Sequence, residues 1–210
     1  MSVTNNIKNH LKNISGWRTN RKLVVFSVDD YGNVRLASKS AFENLENSGI
    51  PFISRFDRLD TLETKTDLEK LFNVLTSVKD QHGKSAIFTP YALPCNIDFE
   101  AMAENGFKEY SYELLPQTYE KLALKDAKAY KGTWKLWKEG IEQGLLKPQF
   151  HGREHFNLNM FEDLLQKGNK NLLMVLKQFS HVSIPEHDNY SQSWTAAYSF
   201  QNIEETKNYL

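Results

Sequence analysis

The chain has one cysteine, no net charge and no long apolar run, and each absence excludes a class of protein. Because Cys95 is its only cysteine, it can form neither an internal disulfide nor a zinc site built from several cysteines. Its 26 basic and 26 acidic residues balance, so no basic field attracts nucleic acid. No run approaches the roughly 18 apolar residues of a membrane span. We therefore expect neither a nucleic-acid partner nor a membrane span.

The N-terminus has no signal-peptide pattern, since residues 1–10 are polar and contain no apolar core. This favours a cytoplasmic protein. Apolar residues make up 40% of the 210 residues, enough for a domain with a sizeable core. No repeat or linker interrupts the chain, so residues 1–210 are interpreted as a single domain with a polar lead-in over 1–20.

Apolar periodicity predicts strands that alternate with helices. The strongest strand signal is Lys22 to Asp30, a β-branched and aromatic run typical of a strand buried on both faces. Further strands are predicted over 50–53, 85–89 (ended by Pro90), 148–150 and 181–184, with 110–114 a strand or extended loop. Helices are predicted over 37–47, 66–81 (capped by Thr66 or Asp67), 98–105, 132–144, 159–179 (kinked at Gly168) and near 203–209. The alternation indicates an α/β fold with a parallel sheet.

Two polar motifs follow predicted strands. His151 and His155 are four residues apart, a spacing at which two imidazoles can reach one ion if the segment turns or is helical. Asp29 and Asp30 end the first strand, and the carboxyl ends of parallel strands lie at the same edge of a sheet. One aspartate with two histidines is the ligand set of an open catalytic metal centre, while the other aspartate could act as general base. Zinc is the expected ion, and iron, cobalt, nickel or manganese would also fit.

Simpler interpretations exist for each motif alone. Asp29-Asp30-Tyr31-Gly32 is also typical of a turn, and a single His-x-x-x-His is often a coincidence of the surface. Both motifs stand at the ends of predicted strands. This shared position favours the metal hypothesis over two unrelated coincidences.

The same residues resemble motifs of the polysaccharide deacetylase family, metal-dependent carbohydrate esterases that remove N- or O-acetyl groups. That family has a strand ending in Thr-Phe-Asp-Asp-Gly and a later His-Ser/Thr-x-x-His. The matching segments here are 27–32, with an additional Tyr31, and 151–155. Segments 14–18, 88–90 and 148–155 are similar to a subgroup from bacterial surface-polysaccharide loci.

The resemblance implies Asp29 as catalytic base, and Asp30, His151 and His155 as ligands of a divalent metal, most simply Zn²⁺. It implies an acetylated sugar or polysaccharide as the substrate, and an irregular (β/α) barrel of fewer than eight strands, incomplete at the C-terminus. The family's late Leu-x-x-His motif, whose histidine is the general acid, has no match after residue 180. Metal binding is therefore the firmer expectation and turnover the weaker one.

Two other functions remain open at this point. A non-catalytic carbohydrate-binding or scaffold domain would explain the missing late histidine. A glycoside hydrolase could use two carboxylates such as Asp29 and Glu154 without a metal. Among other residues, Trp134 and Trp137 are predicted to lie in the core and Asp57-Arg58 to form a surface ion pair, while Trp194 is the better candidate for stacking on a sugar. The oligomeric state has no sequence signal.

Overall fold

The protein has an α/β fold, as predicted, in a computed structural model that describes residues 7–8, 11–12, 14–52, 54–199, 202, 204 and 207. The strands are β1 (Phe26–Tyr31), β2 (Phe88–Ala92), β3 (Cys95–Ile97), β4 (Tyr112–Leu114) and β5 (Gln149–Phe150). The helices are α1 (Lys39–Asn47), α2 (Arg55–Leu59), α3 (Lys65–Ser77), α4 (Phe99–Glu104), α5 (Leu115–Lys125), α6 (Ala127–Tyr130), α7 (Thr133–Glu142), α8 (Leu158–Gln166) and α9 (Lys170–Lys177). A 3₁₀ helix covers Pro185–Asn189.

The strands form two small sheets. A parallel sheet has the order β1-β2-β5, with Phe26 opposite Phe88 and Tyr91 opposite Gln149. Strands β3 and β4 form a separate antiparallel pair. Within the described ranges, these strands do not close into a barrel, so the parallel sheet is confirmed and the barrel is not.

The first strand differs from its prediction in both position and burial. It begins at Phe26 rather than Lys22, and Val24, Val25 and Phe26 are 79%, 75% and 55% exposed. The prediction of burial on both faces was therefore wrong. Val24 and Val25 precede β1, and among the described strands β1 pairs with β2 alone, so this segment is not enclosed within the sheet.

The other strand predictions were confirmed only in part. Strand β2 continues through Pro90, because its pairing with β5 begins one residue later, at Tyr91. Residues 148–150 do contain the short strand β5, whereas 181–184 form no strand. Residues 50–52 are also not a strand, and Ile53 lies outside the described residues, as does most of the helix predicted near 203–209.

The helix predictions agree more closely with the structure. Predicted segments 37–47, 98–105 and 132–144 correspond to α1, α4 and α7. The predicted 159–179 helix is two helices, α8 and α9, separated where Gly168 takes a left-handed φ of +61° and Asn169 caps α9. Helix α3 begins at Lys65, earlier than predicted, because Thr64 and Asp67 form a capping box.

Two clusters of buried apolar residues make up the core. One lies around α8 and α9 and includes Phe156 and Phe161. The other lies between α3, α5 and α7 and includes the predicted core residue Trp137, whose ring centroid is 5.6 Å from that of Tyr31. Tyr31 and Phe156 directly follow Asp30 and His155 in the chain. The two halves of the candidate site are therefore anchored in different clusters.

Candidate metal centre

The end of β1 has an irregular backbone that directs both aspartates toward one place. The register with β2 shifts between Val28 and Tyr31, and Asp30 takes a left-handed φ of +55°. Side chains of successive strand residues normally point to opposite faces. Here His151 Nε2 is 3.0 Å from Asp29 Oδ1 and 3.1 Å from Asp30 Oδ1. A strained residue at such a position is typical of functional sites.

The histidine pair is held by a loop rather than a helix. Directly after β5, the His151 amide donates to the Ala92 carbonyl at 3.1 Å. Gly152 has a φ of +111°, a conformation that favours glycine, and the chain turns there so that His155 returns beside His151. The two imidazole rings lie nearly parallel, 19° apart, with centroids separated by 5.3 Å. The turn therefore brings the two imidazoles together, as neighbouring positions on one face of a helix would have done.

Three side chains converge with the geometry of a metal site. Asp30 Oδ1 lies 2.8 Å from His155 Nε2 and 3.1 Å from His151 Nε2, and the ligand atoms are all within 4.8 Å of one another. Around a tetrahedral ion with bonds of about 2.0–2.2 Å, ligand atoms are ~3.4 Å apart. To admit zinc, the two distances from Asp30 to the imidazoles would have to lengthen by about 0.3–0.6 Å. All four residues singled out from the sequence lie together.

The electrostatics of His155 also suit a metal ligand. Burial lowers the pKa of His155, the charges of His151 and Arg35 lower it further, and the carboxylate of Asp30 opposes them. The neutral imidazole is therefore favoured, and this is the form that binds a metal.

Asp29 lies beside the three converging side chains and faces open space. Its side chain is 69% exposed. Together with Ser27, Tyr91 and His151, it lines an open cleft of about 350 Å³. A small acyl group in this cleft would lie beside Asp29 and His151.

A buried ion pair lies behind the site. Arg35 Nη1 contacts Asp57 Oδ1 at 3.2 Å, and Asp57 also accepts from the Ser183 amide and the Ser54 hydroxyl. The prediction that Asp57 forms a surface ion pair was wrong, because Asp57 is fully buried. Since the Arg35 carbonyl accepts from the His181 amide at 2.7 Å, this pair joins residues 35, 57 and 181 into one structure.

His181 was not recognised from the sequence as part of this region. It is fully buried against Phe156, with ring centroids 4.7 Å apart, and its Nε2 has no hydrogen-bond partner in the part of the chain that the structure describes. Trp194 is buried on the same aromatic cluster, stacked 3.7 Å from His187. Trp194, the candidate for stacking on a sugar, is therefore not accessible for that role. Its polar neighbours in the sequence hid the burial.

The buried histidines give the folded protein a pH-dependent stability. Burial lowers the pKa of His181 strongly and that of His187 to about 4. An unfolded chain takes up these protons near pH 6.5, whereas the folded protein does not. The stability that the two neutral histidines contribute is therefore fully present above pH 6.5 and is lost as the pH falls from 6.5 toward 4. Urea unfolding of the wild type, His187→Phe and the exposed-residue control His82→Phe at pH 7.5 and 5 checks this. Between pH 7.5 and pH 5, we expect the free energy of unfolding to fall less in His187→Phe than in the other two proteins. An equal fall in all three proteins would contradict this prediction.

The Glu154 carboxylate is buried in an ion pair and does not line the cleft beside Asp29. This carboxylate, which is 6% exposed, pairs with the Arg153 guanidinium, and that guanidinium lies 4.7 Å from the Tyr112 ring centroid. A carboxylate held in this way is a poor acid or base for a sugar bound near Asp29. This arrangement disfavours a glycoside hydrolase that uses Asp29 and Glu154.

A second group of carboxylates surrounds a lysine side chain. Asp98, Glu100 and Glu113 also lie within reach of one another. The Lys121 ammonium lies among them, with Nζ at 2.6, 3.1 and 2.5 Å from their oxygens. Burial opposes the charge of Lys121, but its bonds to the three carboxylates outweigh this and raise its pKa. Lysine already neutralises this group, so it is a structural ion-pair network rather than a metal site.

In comparisons with known proteins, no family model, no curated protein and no solved structure matches this chain. The resemblance to polysaccharide deacetylases therefore remains a prediction. None of the helices over the described ranges is long and apolar enough to cross a membrane.

Proposed function

We propose that this protein is a metal-dependent hydrolase that removes N- or O-acetyl groups from a sugar or polysaccharide. One observation carries the proposal: Asp30, His151 and His155 converge on one point, and Asp29 stands beside them at an open cleft. Three ligands with room for water and substrate are the arrangement of hydrolytic zinc centres. The barrel architecture and a cytoplasmic location belong to the same proposal.

The residues have separate roles in this proposal. Asp30, His151 and His155 would hold the divalent ion, zinc in the first place. When bound, the ion polarises an acyl carbonyl and lowers the pKa of water. Asp29 accepts the proton of the attacking water, since its carboxylate lines the cleft and is not among the three ligands.

The leaving amine or alcohol also needs a proton. Asp29 lines the cleft and, in the proposed reaction, carries the proton taken from water. His181 is fully buried and cannot supply a proton to a group in the cleft. We therefore assign both transfers to Asp29, as base and then as acid. The buried position of His181 also favours a second candidate, a carbohydrate-binding domain that has lost turnover.

Metal removal and restoration test the proposed function. The protein is treated with a chelator, then reloaded with zinc, and acetate release is measured from an N-acetylated chitooligosaccharide and an O-acetylated xylan. We expect the chelated protein to release no acetate and zinc to restore release. Release that survives chelation would contradict a metal-dependent reaction. Glycan binding without release from either substrate would favour the binding domain.

A further inference from the structure

The segment that leads into β1, together with its first residue, exposes an unusual amount of apolar surface. Leu23, Val24, Val25 and Phe26, here named the β1 strip, are 51%, 79%, 75% and 55% exposed. Since side chains of successive residues in an extended segment point to opposite faces, the strip is uncovered on both faces. Contiguous apolar surface of this kind is typical of an interaction site.

The backbone of β1 is unpartnered along one edge, and Leu23, Val24 and Val25 pair with none of the described strands. Strand β1 pairs with β2, and among the described strands none lies along its other edge. A free edge presents amide and carbonyl groups that can pair with another strand. A protein segment that binds here must therefore pair as a strand with the free edge and place apolar side chains beside the strip on both faces.

We propose that the binding segment is the β1 strip of a second copy, paired antiparallel about a two-fold axis at Val25. In this register, Val25 lies opposite Val25 of the second copy, and Val24 lies opposite Phe26. On each face, the apolar side chains of one strip lie beside those of the other, and both copies use the same patch, as in an isologous dimer. In this pairing residues 21–25 extend β1, and the three-stranded sheets of the two copies join into one of six strands.

Charge complementarity supports this register. Arg21 and Lys22 precede the strip, and Asp29 and Asp30 follow it. The two-fold axis at Val25 places Arg21 directly opposite Asp29 of the second copy, and Lys22 diagonally across from Asp30. Opposite charges at such positions stabilise a strand pair. The second copy therefore brings a cation to the mouth of the site, and this inference does not depend on the proposed reaction.

Sedimentation over a range of concentrations tests the dimer. We expect the wild type to form a dimer and Val25→Lys to associate at least ~10-fold more weakly, since it puts two lysines face to face on the axis. Leu124→Lys is the matched control, because Leu124 lies on α5 and is 88% exposed. It should dimerise like the wild type. A wild type that is monomeric throughout, or a Val25→Lys variant that dimerises normally, would overturn the proposal.

A charge exchange tests the register. Arg21→Glu places a glutamate opposite Asp29 twice in its own dimer, and Asp29→Arg places two arginines together twice. We therefore expect each variant alone to associate at least ~10-fold more weakly than the wild type. An equal mixture forms a heterodimer in which both pairs are attractive, and we expect it to recover wild-type association. If the mixture associates no better than either variant alone, the proposed pairing is wrong.

Discussion

Replacing Asp29 with asparagine is expected to lower acetate release by roughly 10²–10⁴-fold, while the zinc content stays the same. An amide cannot accept the proton of the attacking water, although it has nearly the shape of the carboxylate. Asp29 is not one of the three converging ligands, and its side chain is 69% exposed, so the fold does not depend on it. Acetate release and metal content are measured on the same preparation.

The control for this variant is Asp188→Asn. Asp188 is exposed in the 3₁₀ helix, outside the cleft. It should leave both acetate release and zinc content unchanged. If Asp29→Asn loses zinc together with activity, Asp29 is a ligand instead of the base. If it keeps full activity, the proposed role is wrong.

Asp57→Ala is expected to destabilise the fold by about 3–5 kcal/mol, because it leaves the Arg35 guanidinium buried without its partner. The Arg35 and Asp57 side chains are 9% and 1% exposed, so water cannot replace the lost carboxylate. Chemical denaturation of the wild type and the variant measures the difference. The variant should also loosen His181, since the Arg35 carbonyl holds the His181 amide.

An exposed ion pair provides the comparison for Asp57→Ala. Lys39 and Glu43 are one helical turn apart on α1, and their side chains are 89% and 55% exposed. Glu43→Ala should cost less than about 1 kcal/mol, as surface pairs do. Equal costs for Asp57→Ala and Glu43→Ala would show that the buried pair has no special role in stability.

The members of the candidate site could be predicted because they lie in or after the carboxyl ends of two strands of the parallel sheet. Asp29 and Asp30 end one apolar run, and His151 follows another, so a parallel sheet brings them to one edge. The way in which they meet could not be predicted. It depends on the left-handed backbone of Asp30 and the register shift beside it, and neither has a sequence signal at an aspartate.

Burial was harder to predict than secondary structure, since it depends on distant parts of the chain. Asp57 is buried because it accepts from the Ser183 amide, 126 residues away. The β1 strip has the composition of a buried strand. Its exposure depends on which other parts of the chain pack beside it, and the strip's own residues do not show this. The start of α3, by contrast, did have a local signal in Thr64-x-x-Asp67, a capping-box pattern.

The most direct test of the account is zinc binding by the purified protein, measured by calorimetry and by metal analysis after dialysis. The variants are His155→Ala, which removes one of the three ligands, and the control His82→Ala, which removes an exposed histidine outside the site. We expect one tightly bound zinc ion per chain in the wild type and His82→Ala, and none in His155→Ala. A wild type that binds no zinc, or a His155→Ala variant that binds it equally well, would contradict the central claim.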